Sequence, residues 1–376
     1  MNHYFLTGAT GNIGSALVPL LLKSEGVIQL LIRADSDEYL LQRFDELCKF
    51  WEISRDAALE RMIPCRGDMT KPFLGLNGEA YATLAESCTH IIHCGGAVRM
   101  NLPLEEARES AVGSVEEIIR LAERARKEGR LKKIDIVSTV GVIGRSRSPL
   151  TEKLITENRT FHNTYEQAKA EAEEMLYAYM ASNRLPITIH RPSMVVGDSK
   201  TGKAKSFQVF YHICEFISGK RTFGILPDLK GVNLDIIPVD YVVQVIKWSA
   251  ESNETVGKFI HECSGPDAAL NIHSLEETLE SYPYFSNHAS YIVKKKRYIP
   301  PALFNIAIVI LSIFLPKKDK KIIRTLPHFL EYIKYPQLFY DKLTADYLPK
   351  GIQKPLPAAY LDIILTNYQS TLSKRV

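Results

Sequence analysis

Apolar positions along the first 200 residues come in short continuous runs separated by stretches with a helical period. Tyr4-Phe5-Leu6 is a run, Ala16 to Leu22 has a helical pattern, and Val27 to Ile32 is a second run. Ser36 to Ile53 predicts a helix, with Leu40, Leu41, Phe44, Leu47 and Phe50 on one face. Short strands are predicted at Met62–Cys65, Ile91–Cys94, Ile134–Val137 and Ile187–His190, and helices at Ser114–Lys127 and Thr164–Asn183. Strands that are apolar throughout and alternate with helices predict a parallel sheet covered on both faces, an α/β doubly wound, Rossmann-type fold. Ligands of such sheets bind outside the carboxyl ends of the strands. After Gly202 the pattern loosens. Ser206–Ser218 reads as an apolar helix, Leu234–Ile237 and Phe259–His261 as strands, and Val239–Trp248 as the helix between them. Beyond residue 270 the chain is mostly helical and rich in aromatics. Residues 1–200 are thus expected to form one unit and 201–376 a smaller substrate-facing part, with the strands near 234–261 returning to the main fold.

Composition narrows the picture only a little. The chain has 376 residues, 45% hydrophobic and 24% charged, and can bury a large core. A net charge of +4 is too small for a nucleic-acid footprint. The six cysteines are scattered with no CxxC pair, which suggests neither a zinc site nor a disulfide framework. The sequence begins directly in a strand, so a cytoplasmic location is expected.

The first turn carries the chemistry of a phosphate cradle. Thr7-Gly8-Ala9-Thr10-Gly11-Asn12-Ile13-Gly14 joins a strand to a helix. Gly8 would make the tight turn, Gly11 would admit a pyrophosphate, and Gly14 would let helix and strand pack closely. The helix N-terminus offers free N–H groups and a partial positive charge. The second strand ends in Arg33, where NAD-binding units place an acid for the ribose 2′-OH. A guanidinium there would pair with a 2′-phosphate, which favours NADP(H), with Arg43 as a second clamp. Asp35 is the counter-indication, since a shift of two residues restores an acidic reading.

Tyr165 and Lys169 stand four apart on a predicted helix and share a face. A nearby ammonium favours the phenolate, lowering a tyrosine pKa that starts near ~10, and a tuned phenol can exchange a proton with a carbonyl oxygen. Thr139 ends a strand 26 residues earlier, and its hydroxyl can bond the same oxygen, with Ser138 as the alternative if the register shifts by one. Tyr291 and Lys295 match the spacing too, but lie in a basic cluster with no strand-borne hydroxyl before them and read as a surface accident.

With these residues in view, the chain resembles the extended short-chain dehydrogenases/reductases, and within them the thioester reductase and fatty acyl-CoA reductase branch. The likeness rests on the glycine-rich turn, Leu31-Ile32-Arg33-Ala34, Gly67-Asp68-Met69-Thr70-Lys71-Pro72, Leu74-Gly75-Leu76, Ile91 to Cys94, Val137-Ser138-Thr139, Tyr165 with Lys169, and Arg191 to Ser199. It implies that Asp68 and Met69 contact the adenine, that Gly95, Gly96 and Ala97 line the cofactor, and that Pro192, Ser193, Met194 and Val195 border the nicotinamide. Thr139, Tyr165 and Lys169 would be catalytic, with Lys169 also holding the nicotinamide ribose. Hydride from NADPH would attack a thioester carbonyl, giving an aldehyde and a thiol, and a second hydride would give an alcohol. Three departures stand out. Ser110 replaces an asparagine that helps hold a water near the lysine. Gly95-Gly96 replaces a pair of alanines, leaving more room, and Ser193 replaces a glycine. No adenylation or carrier pattern is present, so the resemblance implies an acyl thioester delivered on coenzyme A or on a separate acyl carrier protein.

The run Pro301–Leu315 is almost wholly apolar between Lys294–Arg297 and Lys317–Lys321. It fits a buried helix lining an acyl pocket, or an interfacial segment whose lysines meet anionic headgroups. It is short of the ~20 residues of a membrane span and basic on both flanks. A peripheral membrane contact through 294–321 and a fatty or bulky acyl group are therefore both expectations. Two competing readings remain: a ketone or hydroxysteroid dehydrogenase or sugar-nucleotide epimerase of the same fold, and a cofactor-binding protein without catalysis, for which Ser110 is the one foothold.

Overall fold

The apolar runs become strands because both of their faces are covered. The computed structural model describes residues 1–182, 184–219, 222, 224–229, 231–286, 296–304, 306, 330 and 335–373. Strands β1 (Asn2–Thr7), β2 (Gly26–Ile32), β3 (Met62–Arg66), β4 (His90–His93), β5 (Lys133–Val137), β6 (Ile187–Pro192) and, after β7 (Met194–Val196) and β8 (Ile236–Pro238), β9 (Phe259–Glu262) build the fold. The main sheet has seven strands in the order β9-β6-β5-β4-β1-β2-β3, every pair parallel. Order reverses between β1 and β4, the place where such sheets open a crevice. The register aligns Thr7 with Leu31 and with His93, Val137 with His190, and Glu262 with Pro192, so the strands end along one edge.

Alternate residues of each strand enter different cores. Tyr4, Leu6, Ile28, Leu30 and Ile92 pack under α1 (Asn12–Leu21), α2 (Asp37–Trp51) and the helix that follows β8. Phe5, Leu31, Ile91, Ile134, Ile136 and Ile187 pack under α3 (Gly78–Ser87), α4 (Ser114–Lys127) and α5 (Thr164–Ala181). A third core joins α6 (Val209–Ile217), α8 (Ile272–Glu280) and α9 (Pro357–Ser373). Helix α7 (Val239–Ala250) packs on α1, and β9 pairs with β6, so the chain re-enters the main layer after α6. Pro19 lies inside α1 and has no N–H for the Ser15 carbonyl; the Trp51 indole donates to that carbonyl instead, at 2.7 Å.

Two elements differ from the sequence-based boundaries. Helix α6 begins at Val209 rather than Ser206 because Ser206 is tied to the Asn12 side chain, its N–H donating to Oδ1 at 2.8 Å and its carbonyl accepting from Nδ2 at 2.9 Å. The strand expected over Leu234–Ile237 is broken at Asp235. Its carboxylate turns inward to accept the Ser264 and Gly265 amides at 2.8 and 2.9 Å, leaving Asn233–Leu234 paired with Leu270–Asn271 and β8 paired with β7. Most of Pro301–Leu315, Lys294, Lys317–Lys321 and the Tyr291/Lys295 pair lie outside the described residues, whereas Lys296 is described and pairs with Glu276 at 2.7 Å and Glu280 at 3.0 Å. No helix among the described residues is long and apolar enough to cross a membrane.

Candidate active site

The glycine turn after β1 is shaped by what surrounds it. Gly8 has φ +77°, and a Cβ there would sit 2.6 Å from the Cys94 carbonyl carbon and the Gly95 nitrogen. A Cβ at Gly14 would lie 2.3 Å from the Gly8 carbonyl oxygen. Gly11 caps α1 in extended conformation with no side chain over the helix end and no acid in the first turn, so the α1 amides face the crevice uncapped. Thr7 and His93 tie this turn to β4. His93 bridges the Thr7 hydroxyl at 2.8 Å and the Ser114 hydroxyl at 3.3 Å, and Thr7 Oγ1 accepts the Gly95 amide at 3.2 Å. Burial, with the charge of Lys169 nearby, lowers His93 to about 3, so the bridge is a neutral imidazole.

Across the crevice, helix α5 delivers the phenol and the ammonium. Its start is a capping box: Asn163 Oδ1 accepts the Glu166 amide at 2.9 Å, and Glu166 accepts from the Asn163 side chain at 3.0 Å and from the His162 amide at 3.0 Å. The pattern Asn163-x-x-Glu166 marks this helix start in the sequence. Lys169, four residues after Tyr165, is buried, and its Nζ donates to the Val137 carbonyl at 3.0 Å. Thr139 opens the helical turn after β5, and its hydroxyl accepts the Gly141 amide at 3.1 Å.

One cleft gathers most of the expected residues. Gly11, Asn12 and Ile13 line it from the first turn, Gly95 and Gly96 from β4, Ser138 and Thr139 from β5, Tyr165 and Lys169 from α5, and Pro192 to Val195 from the β6–β7 bend. Val98, Met100, Val140 and Val209 add apolar wall that the sequence reading did not name. Thr7, Gly8 and Gly14 lie behind this lining as supports, and Thr10 belongs to the turn itself. Asp68 holds its own turn by accepting from the Thr70 amide and hydroxyl, each at 3.0 Å, and Met69 reaches Gly95. Arg33 and Arg43 stand at the far end, beyond β2, with the Arg43 guanidinium donating to the Arg33 carbonyl. Asp35 lies on this exposed rim as well, with its carbonyl accepting from Arg66, the last residue of β3. The uncapped α1 end and the Ser138 hydroxyl, buried with no hydrogen-bond partner among the described residues, suit a dinucleotide that brings phosphates to one and a polar group to the other.

Three expectations change. Tyr165 is not pulled toward phenolate by Lys169: burial pushes it up to about 12 against the opposing Thr139 hydroxyl, with Glu166 adding to the rise. Burial lowers Lys169 to about 8, against the pull of Glu173 and Cys94. The space at Gly95 is not open, since a Cβ there would lie 2.3 Å from the Met69 sulfur. At Gly96, with φ +158°, it would lie 3.3 Å from Lys169 Nζ. Ser110 does not bond the lysine. Its hydroxyl accepts the Ala97 amide at 2.8 Å from within a π-helical turn, Glu109–Gly113, just before α4. Ser193 is buried in the cleft lining beside Asp235, donating its amide to the Glu262 carbonyl at 2.9 Å.

Known proteins resemble this chain in sequence and fold. The male sterility protein model, an NAD-binding domain, matches residues 6–246. Over 263 residues the chain is 32% identical to a linear gramicidin synthase of Brevibacillus parabrevis, covering 68% of this chain and 5% of that protein. It is 28% identical over 269 residues to an aldehyde reductase of Aspergillus flavus, covering 68% of this chain and 25% of the relative. The chain thus spans a quarter or less of these two relatives' lengths. Among solved structures, the terminal R domain of the myxalamid PKS-NRPS biosynthetic pathway superposes with TM-score 0.78 at 25% identity, covering 97% of this chain and 90% of that one. The reductase domain of a nonribosomal peptide synthetase from Mycobacterium tuberculosis shares the fold at TM-score 0.72 and 20% identity, over 98% and 92% of the two chains. The chain belongs to the male sterility protein family of NAD(P)-binding domains, of the extended short-chain dehydrogenase/reductase type.

Proposed function

We propose that this domain uses NADPH to reduce an acyl thioester to the aldehyde, with Thr139, Tyr165 and Lys169 as its catalytic residues. The observation that carries the reading is the meeting of these three side chains in one cleft with the glycines of β4 and the Pro192–Val195 bend. When bound, the nicotinamide supplies a hydride. Tyr165 stays a neutral phenol through the physiological range, so it acts as the acid and gives its proton to the oxyanion that develops on the thioester carbonyl. The Thr139 hydroxyl lies against the phenol and donates to the same oxygen. Lys169, fixed between Val137 and Gly96, holds the ribose and keeps positive charge beside the reacting oxygen. The resulting hemithioacetal collapses to the aldehyde and releases the thiol. Arg33 and Arg43 clamp the 2′-phosphate, which selects NADPH over NADH. The apolar mouth at Val98, Met100 and Val209 suits a bulky apolar acyl group. The relatives that carry peptide synthetase names support a carrier-bound thioester over a fatty acyl-CoA.

The test is NADPH consumption with acyl thioesters of graded length beside matching ketones, with aldehyde and free thiol measured together. Tyr165→Phe is expected to lower kcat/KM by roughly 10²–10⁴-fold, while calorimetric NADPH affinity stays unchanged. Oxidation of NADPH with ketones alone, or full turnover by Tyr165→Phe, overturns the assignment.

A further inference from the structure

A second groove begins where the cleft ends. Asn12 lines both. From there the groove runs between the outer side of α1, the end of α2, the start of α7 and the loop after β7, and holds about 620 Å³. Its floor is apolar and aromatic: Ala16, Pro19, Leu20, Trp51 and Val243. Its rim carries Lys23, Lys200, Lys203 and Lys205.

The acids of the groove are occupied. Asp198 Oδ1 accepts from the Lys200 amide at 3.0 Å and from the Thr201 amide and hydroxyl at 2.8 and 2.9 Å. Both oxygens of Asp240 accept from Ser199, at 2.8 and 2.7 Å. Glu52 pairs with Lys203. Among the described residues, Lys23, Lys200 and Lys205 have no carboxylate within ion-pair distance, and Lys205 lies over the Phe50 ring at 5.4 Å. The loop that bears three of these lysines is held rigidly. Asp198 knots it, Gly202 presses on α9, and Ser206 is clasped to Asn12. An apolar floor with four lysines on its rim, three of them in no ion pair among the described residues, suits an amphipathic helix with acidic flanks.

We propose that this groove docks an acidic acyl carrier domain, which holds its thioester-bearing arm toward the cleft at Asn12. The proposal rests on the thioester reading above and adds the surface through which the substrate arrives. The lysines steer association, so their effect belongs to encounter and KM, not to the chemical step.

The full chain is assayed with one decanoyl group on three thiols: a phosphopantetheinylated carrier domain, coenzyme A, and uncharged N-acetylcysteamine. In the triple variant Lys23→Glu, Lys200→Glu, Lys205→Glu, KM for the carrier-bound substrate rises at least tenfold at low salt with kcat unchanged. Wild-type KM for that substrate climbs with ionic strength until the two proteins converge. KM for the N-acetylcysteamine and coenzyme A thioesters stays the same, which also shows that the variant is folded. An unchanged KM for the carrier, an equal loss with coenzyme A, or a wild type that reduces the small thioester but is not saturated by the carrier each overturns the docking proposal. A wild type that reduces none of the three overturns the thioester reading itself. The affinity of the same carrier for both proteins, measured by titration without NADPH, then decides the docking surface independently of turnover.

Discussion

At Gly95 the absence of a side chain is compensated by a neighbour. The Met69 sulfur occupies the volume a Cβ would need, 2.3 Å from its position, and Thr7 Oγ1 stands 3.0 Å away. A flexible thioether can retreat, so Gly95→Ala is expected to cost about 1–3 kcal/mol of stability and to weaken NADPH binding as Met69 is displaced. Gly95→Ala with Met69→Ala should recover most of the stability, read from urea midpoints. Equal losses in the single and double variants would sink this account. A second consequence lies in Lys169. Burial lowers it to about 8, so its ammonium is lost just above neutrality, while Tyr165 holds its proton up to about 12. The descending limb of kcat/KM against pH is therefore expected near 8 and belongs to the lysine. Lys169→Arg, which cannot deprotonate there, should move that limb upward in whatever activity remains; an unmoved limb assigns it elsewhere.

Between elements, α5 is joined to β6 by a buried ion pair. Arg191 is fully buried, and its Nε and Nη2 donate to Glu173 at 3.0 and 2.6 Å. Its Nη1 donates to the Thr151 and Lys153 carbonyls at 3.2 and 2.9 Å, and its guanidinium lies 4.3 Å from the Phe259 ring centroid. One arginine thus fixes the helix that carries Tyr165, the strand that leads into Pro192, and the loop after β5. Removing one partner leaves a charge buried without its counter-charge, which costs about 3–5 kcal/mol. Arg191→Met should show that loss in urea unfolding, and Glu173→Met added to it should be milder than the sum of the two singles. Strict additivity would mean that the two side chains do not act as a pair.

Across the whole molecule, the parts legible in the sequence were those set by local chemistry. Strands buried on both faces announce themselves as apolar runs, and Gly8 and Gly14 mark places where backbones nearly touch. Helix α4 runs over Ser114–Lys127, as its periodicity predicts. What escaped depends on partners distant in sequence. The break at Asp235 exists because amides thirty residues later, at Ser264 and Gly265, need an acceptor. The late start of α6 exists because Ser206 answers to Asn12, 194 residues away. The filled space at Gly95 and the raised phenol of Tyr165 arise from burial, which no spacing rule contains. The stand-in donor for Ser15 has a further consequence. The chain has two tryptophans, Trp51 and Trp248. Trp51 is bonded to α1 from one side, and Trp248 lies on α7, which packs on the same helix. Trp51 is therefore tied to the helix whose amino end faces the phosphate cradle, and tryptophan emission overlaps the absorption of a reduced nicotinamide. The unlabelled protein carries its own optical probe in Trp51, placed to register by quenching and energy transfer when that cradle fills.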